Sequence, residues 1–289
     1  MTTTPLRIRT LAELRDVLGT HRRAGRRIGF VPTMGALHDG HISLVEQIRA
    51  DCDVCVVSIF VNPTQFAPGE DLDSYPRTEK ADIAKLAAVD TDIVYLPSVE
   101  EMYPHGSVTN VRVEHMSDLL DGIHRPHFFY GVATVVARLF VHVQPDAAAF
   151  GEKDYQQLQI IRRMVRDLGF PIDVRGGATV RDADGLAQSS RNTYLEPAER
   201  QTANVISSAL HRAACRLALG VPVDAALDEA RNRIRAAGFD KLDYVSAVDP
   251  DSLEDLPGGP VAPGFEGRVL AAAWMGKTRL IDNIGFTRS

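Results

Sequence analysis

Cysteine is scarce in this chain and does not pair up: Cys52, Cys55 and Cys215 are the only three in 289 residues. An odd count without a repeated spacing gives no disulfide framework, so the fold must rest on its own core, and the expected setting is a reducing, cytoplasmic one. Cys52 and Cys55 do form a C-x-x-C, but Cys55 lies inside the apolar run "VCVVSIFV" and no second pair exists. Buried packing is therefore expected of it rather than redox or zinc chemistry. Positive charge is also in deficit. With 32 Lys and Arg against 38 Asp and Glu, the net charge is −6, which argues against a general affinity for nucleic acid. An anionic ligand must then be met by local positive groups. Long apolar runs are missing too: "MTTTPLRIRTLAELRDVL" carries no apolar signal core, and no stretch approaches the ~20 apolar residues of a membrane span. No membrane association is expected.

What the chain does have is enough apolar material, 45% of its residues, for a sizeable core divided over two domains. In the first part, strand-like runs alternate with helical patterns: "IGFVP" (28–32), a helix over 41–51, "DVCVVSIFV" (53–61), a helix over 78–89, "DIVYLP" (92–97), "AAAF" (147–150), a helix over 154–168 and "IDVRGGATV" (172–180). Apolar runs without polar alternation are what strands buried on both faces look like, and their alternation with helices predicts a parallel, doubly wound α/β sheet. Such sheets bind ligands beyond the carboxyl ends of their strands. In the last of these helices Leu158, Ile161, Val165 and Leu168 make a core-facing stripe, leaving Lys153 and Gln157 to share another face. After about residue 180 the texture changes to two Ala-rich helical stretches (198–219 and 223–236) followed by "KLDYVSAVD", "GRVLAAAWM" and "TRLIDNIGF". These predict a smaller α+β domain with an antiparallel sheet. The division expected is 1–180 and 181–289.

Four stretches carry chemistry. In "FVPTMGALHDGHISLVEQIR" (30–49) a strand turns into a helix through Gly35 and Gly40, with His38 and His41 on the turn. The pair could hold a metal. Alternatively, two imidazole donors and the free N–H groups of a helix N-terminus could cradle phosphate without a P-loop lysine. "FVNPTQF" (60–66) puts the amides of Asn62 and Gln65 at the end of the next strand. They could fix a small polar ligand by directional bonds, with a turn cap the ordinary alternative for Asn62. "FGEKDYQQ" (150–157) ends a strand with Gly151, Lys153, Asp154 and Gln157; the lysine is placed to neutralise a transferring phosphoryl group, while Asp154 caps the helix or holds a ribose hydroxyl. "DADGLAQSSRNTYL" (182–195) groups Ser189, Ser190 and Arg191, either an ST-turn or a second phosphate clamp. No G-x-S-x-G elbow surrounds these serines.

Taken together, "PTMGALHDGH" (32–41), "SIFVNPTQF" (58–66), "DLDSYPRT" (71–78), "GEKDYQQL" (151–158), "TVRDADGLAQSSRN" (179–192) and "TRLIDNI" (278–284) resemble the pantoate–β-alanine ligase family over nearly the whole chain. The first and fifth look like the HIGH and KMSKS elements of the nucleotidyltransferase superfamily. The resemblance implies a Rossmann-like α/β domain (1–180), a smaller α+β C-terminal lid domain (181–289), a cytoplasmic homodimer without nucleic acid or membrane partners, and ATP with Mg²⁺. The implied reaction condenses pantoate with β-alanine: the pantoate carboxylate attacks the α-phosphorus of ATP, releasing pyrophosphate, and the amine then displaces AMP from pantoyl adenylate. Carried over position by position, ATP would lie on Met34, Gly35, Ala36, Leu37, His38, Asp39, Gly40 and His41, on Gly151, Glu152, Lys153 and Asp154, on Val180, and on Gln188, Ser189, Ser190 and Arg191. His38, His41 and Lys153 would be catalytic, as donors to the charge that builds on the phosphates. Gln65 and Gln157 would hold pantoate, Gln65 would also lie near β-alanine, and Asn62 would assist. No protein metal ligand is implied.

Two positions depart from the family pattern. Before "GVATVV" the family reads R-P-x-H-F-x-G, whereas this chain reads "RPHFFYG", with Phe128 where the histidine belongs and His127 one residue early. Gln188 stands where the family tends to have Leu or Met. Three rivals remain. A metal-dependent hydrolase would use His38-x-x-His41 and His124-x-x-His127. Another adenylyl- or cytidylyltransferase would stop at a nucleotidylated product, and a paralogue weakened around Phe128 would bind nucleotide and turn over poorly.

Overall fold

The computed structural model describes residues 4–67 and 69–289; residues 1–3 and 68, within the stretch assigned above to the first domain, lie outside the described residues. In chain order the elements are β1 (Leu6–Ile8), α1 (Leu11–Arg23), β2 (Ile28–Thr33), α2 (Asp39–Arg49), β3 (Val54–Ile59), α3 (Glu79–Ala88) and β4 (Ile93–Tyr95). There follow α4 (Val99–Met102), α5 (Asp121–His124), α6 (Phe128–Val143), β5 (Ala147–Gly151), α7 (Tyr155–Leu168) and β6 (Asp173–Gly177). The last third holds α8 (Pro197–Ala203), α9 (Val205–Ala218), α10 (Val223–Ala236), β7 (Lys241–Val248), β8 (Glu266–Met275) and β9 (Thr278–Thr287).

The chain divides into two units. The first (1–117, 125–152 and 157–178) is built on a six-stranded sheet of order β1-β4-β3-β2-β5-β6, parallel throughout. Its central strands are apolar on both faces because both are covered. Side chains alternate along a strand, so Val31, Cys55 and Val57 share a cluster with Leu44, Val45 and Ile48 of α2. Phe30 points the other way, edge-on to Phe140 of α6 at 6.5 Å. Helix α2 lies close on the sheet: a Cβ at Gly29 would collide with Ile48 and Cys52. Burial raises the Cys55 thiol to about 12, which suits a packed, unreactive side chain.

The second unit (118–124, 153–156 and 179–289) carries the three-stranded antiparallel sheet β7-β8-β9. Helices α9 and α10 bury alanine-rich faces in one cluster with it: Ala209, Ala213, Ala226 and Ala230 lie with Val269, Ala271 and Ala273 of β8. Two short pieces from before residue 180, 118–124 and 153–156, group with this unit. A buried ion network ties one of them in. Arg279 bonds Asp121 at 2.7 Å and Asp243 at 2.8 Å, and Tyr244 donates to Asp121 at 3.0 Å.

Three expectations need correction. The stretch 198–219 is two helices, broken at Asn204. Leu168 is 57% exposed, because α7 ends there and Gly169 turns away with φ +67°; Ile160 and Met164 complete the buried stripe instead. Lys153 does not share a face of α7 with Gln157, since it sits before the helix in a 3₁₀ turn, Glu152–Asp154. Helix α6 had no counterpart in the pattern reading: almost all of it is buried, so it lacks a polar face to mark its period. No helix among the described residues is long and apolar enough to cross a membrane.

Candidate active site

The chain leaves β2 on one side for β3 and β4 and on the other reaches β5 and β6, which makes the carboxyl ends of β2 and β5 a topological switch point. Because all the strands are parallel, the segments after β2, β3 and β5 leave the same edge of the sheet. They contain Met34 to His41 and Phe60 to Phe66, and Glu152 follows Gly151, the last residue of β5.

His38 is the N-cap of α2, and the two imidazoles form a reciprocal capping box. His38 Nδ1 accepts the N–H of Gly40 at 3.2 Å, and His41 Nδ1 accepts the N–H of His38 at 3.3 Å; the rings lie 4.2 Å apart. Two backbone donors expected to be free at this helix end are thus taken by the rings. The geometry also sets the tautomer: with both Nδ1 atoms accepting, each neutral ring carries its proton on Nε2. Both far edges are therefore hydrogen-bond donors rather than metal-ligating lone pairs, which favours an anion over a cation.

The loop before His38 is braced from a distance. Gly35 has φ +83° and Ala36 φ +50°, a conformation that an L-residue other than glycine seldom adopts. Asp82, 1% exposed, accepts the N–H groups of Ala36 (3.0 Å) and Leu37 (2.8 Å) and the hydroxyl of Thr78 (3.1 Å). Lys85 donates to the Leu37 carbonyl.

Asn62 ends the segment after β3 and N-caps the 3₁₀ turn Pro63–Gln65, its Oδ1 accepting Thr64 N–H. Both amides are buried, Asn62 at 1% exposure and Gln65 at 8%. Asn62 Nδ2 donates to Gln65 Oε1 at 3.0 Å, and Gln65 Nε2 lies 3.2 Å from Met34 Sδ, so the loops after β2 and β3 meet at these two side chains. Tyr103 donates its hydroxyl to Asn62 Oδ1 at 2.8 Å, and burial holds that phenol above its usual pKa. Arg125 grips Glu70 with two bonds of 2.8 and 2.7 Å and lies 3.8 Å above the ring of Phe128. Phe128 thus serves as a stacking platform, while His127 is exposed at the N-cap of α6.

In the second unit Lys153 Nζ is 3.8 Å from Asp154, and the Lys153 carbonyl accepts from Asn283 Nδ2 at 2.9 Å. Gln188 N–H bonds the Val180 carbonyl at 2.9 Å, closing the hairpin that bridges Arg181 and Ala187. Arg181 makes a two-pronged pair with buried Asp282 (2.7 and 2.9 Å), and Arg200 bonds Asp182 at 2.8 Å. Ser189 forms the ordinary turn, accepting Arg191 N–H at 3.3 Å; Ser190 opens the 3₁₀ segment Ser190–Tyr194. His124 stacks on Tyr244 at 6.0 Å.

A family model described as Pantoate-beta-alanine ligase matches residues 7–285. The chain belongs to that family. Among pantoate–β-alanine ligases it is similar to the pantothenate synthetase of Hyphomonas neptunium, 66% identical over 97% of this chain and 96% of that one. The pantothenate synthetase of Caulobacter vibrioides is 49% identical over 98% and 99%. In structure it resembles the pantothenate synthetase of Thermus thermophilus (TM-score 0.90, 47% identity, 96% of this chain and 98% of that one). It also resembles the pantoate-beta-alanine ligase of Francisella tularensis complexed with Beta-gamma ATP and Beta-alanine (TM-score 0.81, 34% identity, 97% of each). The chain is therefore an AMP-forming carboxylate–amine ligase with the α/β fold of its family.

Asp82, Tyr103, Asp282 and Asn283 are among the residues of this architecture not singled out by sequence. The last two lie in "TRLIDNI", a string that helped to carry the resemblance without a role attached. Asp82 and Tyr103 offered no local signal of this role, since the loop residues they hold, Ala36 and Asn62, lie 46 and 41 positions away.

Proposed function

We propose that the chain condenses pantoate with β-alanine through pantoyl adenylate, consuming ATP and releasing pyrophosphate and then AMP. A carboxylate does not react with an amine until it carries a good leaving group, and AMP supplies one. The observation that carries the reading for this chain is the His38–His41 box at the switch point, which sets two imidazoles on the turn at the positive end of α2. Donors fixed before the reaction stabilise the charge that builds on the phosphates without reorganising, so their work is electrostatic and positional. The Beta-gamma ATP and Beta-alanine named for the Francisella tularensis structure support the same ligands here.

The residues proposed for the nucleotide are Met34 to His41, Gly151 to Asp154, Val180 and Gln188 to Arg191, with His38, His41 and Lys153 catalytic. Gln65 and Gln157 are proposed for pantoate. Asn62 supports Gln65 rather than touching the acid, because its amide is already engaged on both ends. Mg²⁺ would enter as part of the Mg·ATP substrate: among the described residues no group of three or more His, Cys, Asp or Glu is placed to hold a metal, and Mg²⁺ is commonly carried on substrate phosphates. A homodimer in the cytoplasm without nucleic-acid partners is supported by the family resemblance and the net charge of −6.

The test is a product assay with ATP, Mg²⁺, pantoate and β-alanine, repeated with each acid omitted. AMP and pantothenate in equal amounts, requiring both acids, is the expected result. An adenylylated product that accumulates whether or not an amine is present would mean a nucleotidyltransferase instead.

A further inference from the structure

The orientation of a side-chain amide is set by the groups around it, and around Asn62 two of those groups are backbone. Thr64 N–H lies 3.3 Å from Oδ1, and the Gly131 carbonyl lies 3.2 Å from Nδ2. Reversing the amide would set donor against donor and acceptor against acceptor. The hydroxyls of Thr64 (3.0 Å) and Tyr103 (2.8 Å) also donate to Oδ1, and the Tyr103 bond is the shortest of the three. Asn62 Nδ2 is thereby committed to donating, and the atom of Gln65 that faces it must be the carbonyl oxygen, at 3.0 Å. The Gln65 NH₂ is left on the other side, toward Met34. There is little slack, because a Cβ at Gly131 would lie 2.5 Å from the Thr64 carbonyl.

We propose that Tyr103 is a positioning residue which, through Asn62, fixes the polarity of Gln65, so that this glutamine meets the bound acid with N–H and not with C=O. The inference rests on the reading that Gln65 holds pantoate. It deepens that reading by naming the chemistry selected: the group of the acid that meets Gln65 is a hydrogen-bond acceptor, a carboxylate or hydroxyl oxygen. Tyr103 need not touch substrate. Its ring is held by Phe60 at 6.3 Å and by Arg138 at 5.1 Å, so removing the hydroxyl leaves that packing in place.

The experiment compares Tyr103→Phe, Asn62→Asp and Gln65→Ala with the parent enzyme, measuring kcat and the KM of pantoate and of ATP separately. Tyr103→Phe should raise the pantoate KM about five- to tenfold, the scale of one lost hydrogen bond, with the ATP KM and kcat changed less than about threefold. Asn62→Asp removes the donor facing Gln65 Oε1 and should raise the pantoate KM further, and Gln65→Ala should raise it as well. If Gln65→Ala raises the pantoate KM while Tyr103→Phe does not, the orienting role is overturned and the pantoate reading stands. If Gln65→Ala leaves that KM unchanged, the pantoate reading fails and the inference with it. Equal losses in both KM values and in kcat for Tyr103→Phe would mean a general structural role and would also overturn the proposal.

Discussion

Asp82 holds Leu37 by a 2.8 Å bond to its backbone N–H, and through the same carboxylate it holds Ala36 at 3.0 Å. A buried carboxylate with two backbone donors is a strong clamp, and it acts on the residues that lead into His38. Replacing Asp82 by Asn turns one acceptor into a donor facing an N–H. Asp82→Asn should lower kcat/KM for ATP about 10- to 100-fold with the circular dichroism spectrum unchanged. Adding Ala36→Gly, which accepts the left-handed turn without strain, should recover part of the loss. Activity close to the parent's in the single variant would remove Asp82 from the site's framework.

Lys153 bears the proposed charge-neutralising role, and its side chain is 18% exposed. Lys153→Ala should reduce turnover by roughly 10²- to 10³-fold, the scale of one preorganised donor, and leave the fold intact. Near-normal turnover with a normal circular dichroism spectrum would take the lysine out of the reaction.

Phe128 stands where the family pattern has histidine, and here Arg125 uses its ring as a platform at 3.8 Å while holding Glu70. Such a stack contributes on the order of 0.5–1 kcal/mol, and Arg125 keeps its ion pair either way. Phe128→His should therefore change kcat/KM by less than about threefold. A tenfold gain in steady-state assays would show instead that the departure is costly.

Buried in α6, His142 lies 3.1 Å from the Tyr95 hydroxyl. Burial, reinforced by Arg15 and Arg138 and opposed by Glu101, lowers its pKa from 6.5 to about 4. The unfolded chain takes up this proton first, so stability is fully present above pH 6.5 and falls as the pH drops from there toward 4, by up to about 3 kcal/mol in all. His142→Gln keeps a polar partner for Tyr95 and does not titrate. Thermal melts at pH 7 and pH 5 should show a smaller drop for His142→Gln than for the parent; an equal drop would mean that other groups set the acid limit.

Much of the layout is legible in the amino-acid sequence itself. Strands β2, β3 and β5 are continuous apolar runs because both of their faces are covered, and that pattern is local. The glycines, histidines and amides that follow them stood out because strand ends in a parallel sheet are where ligands bind. Helix α6 is illegible in the sequence for the opposite reason: a helix buried nearly all round has no polar stripe to betray its period.

The sequence alone determined the alternation of elements, the parallel sheet and the segments that carry chemistry, since these follow from hydrophobic pattern and local residue types. The tertiary structure decided polarity and support. That Asp82 and Tyr103 hold these loops, and that Tyr103 and the Gly131 carbonyl orient Asn62 and through it Gln65, depends on bonds between residues distant in the chain; the His38–His41 box, by contrast, is local. A hydrogen bond has direction, and only folding determines which donor meets which acceptor.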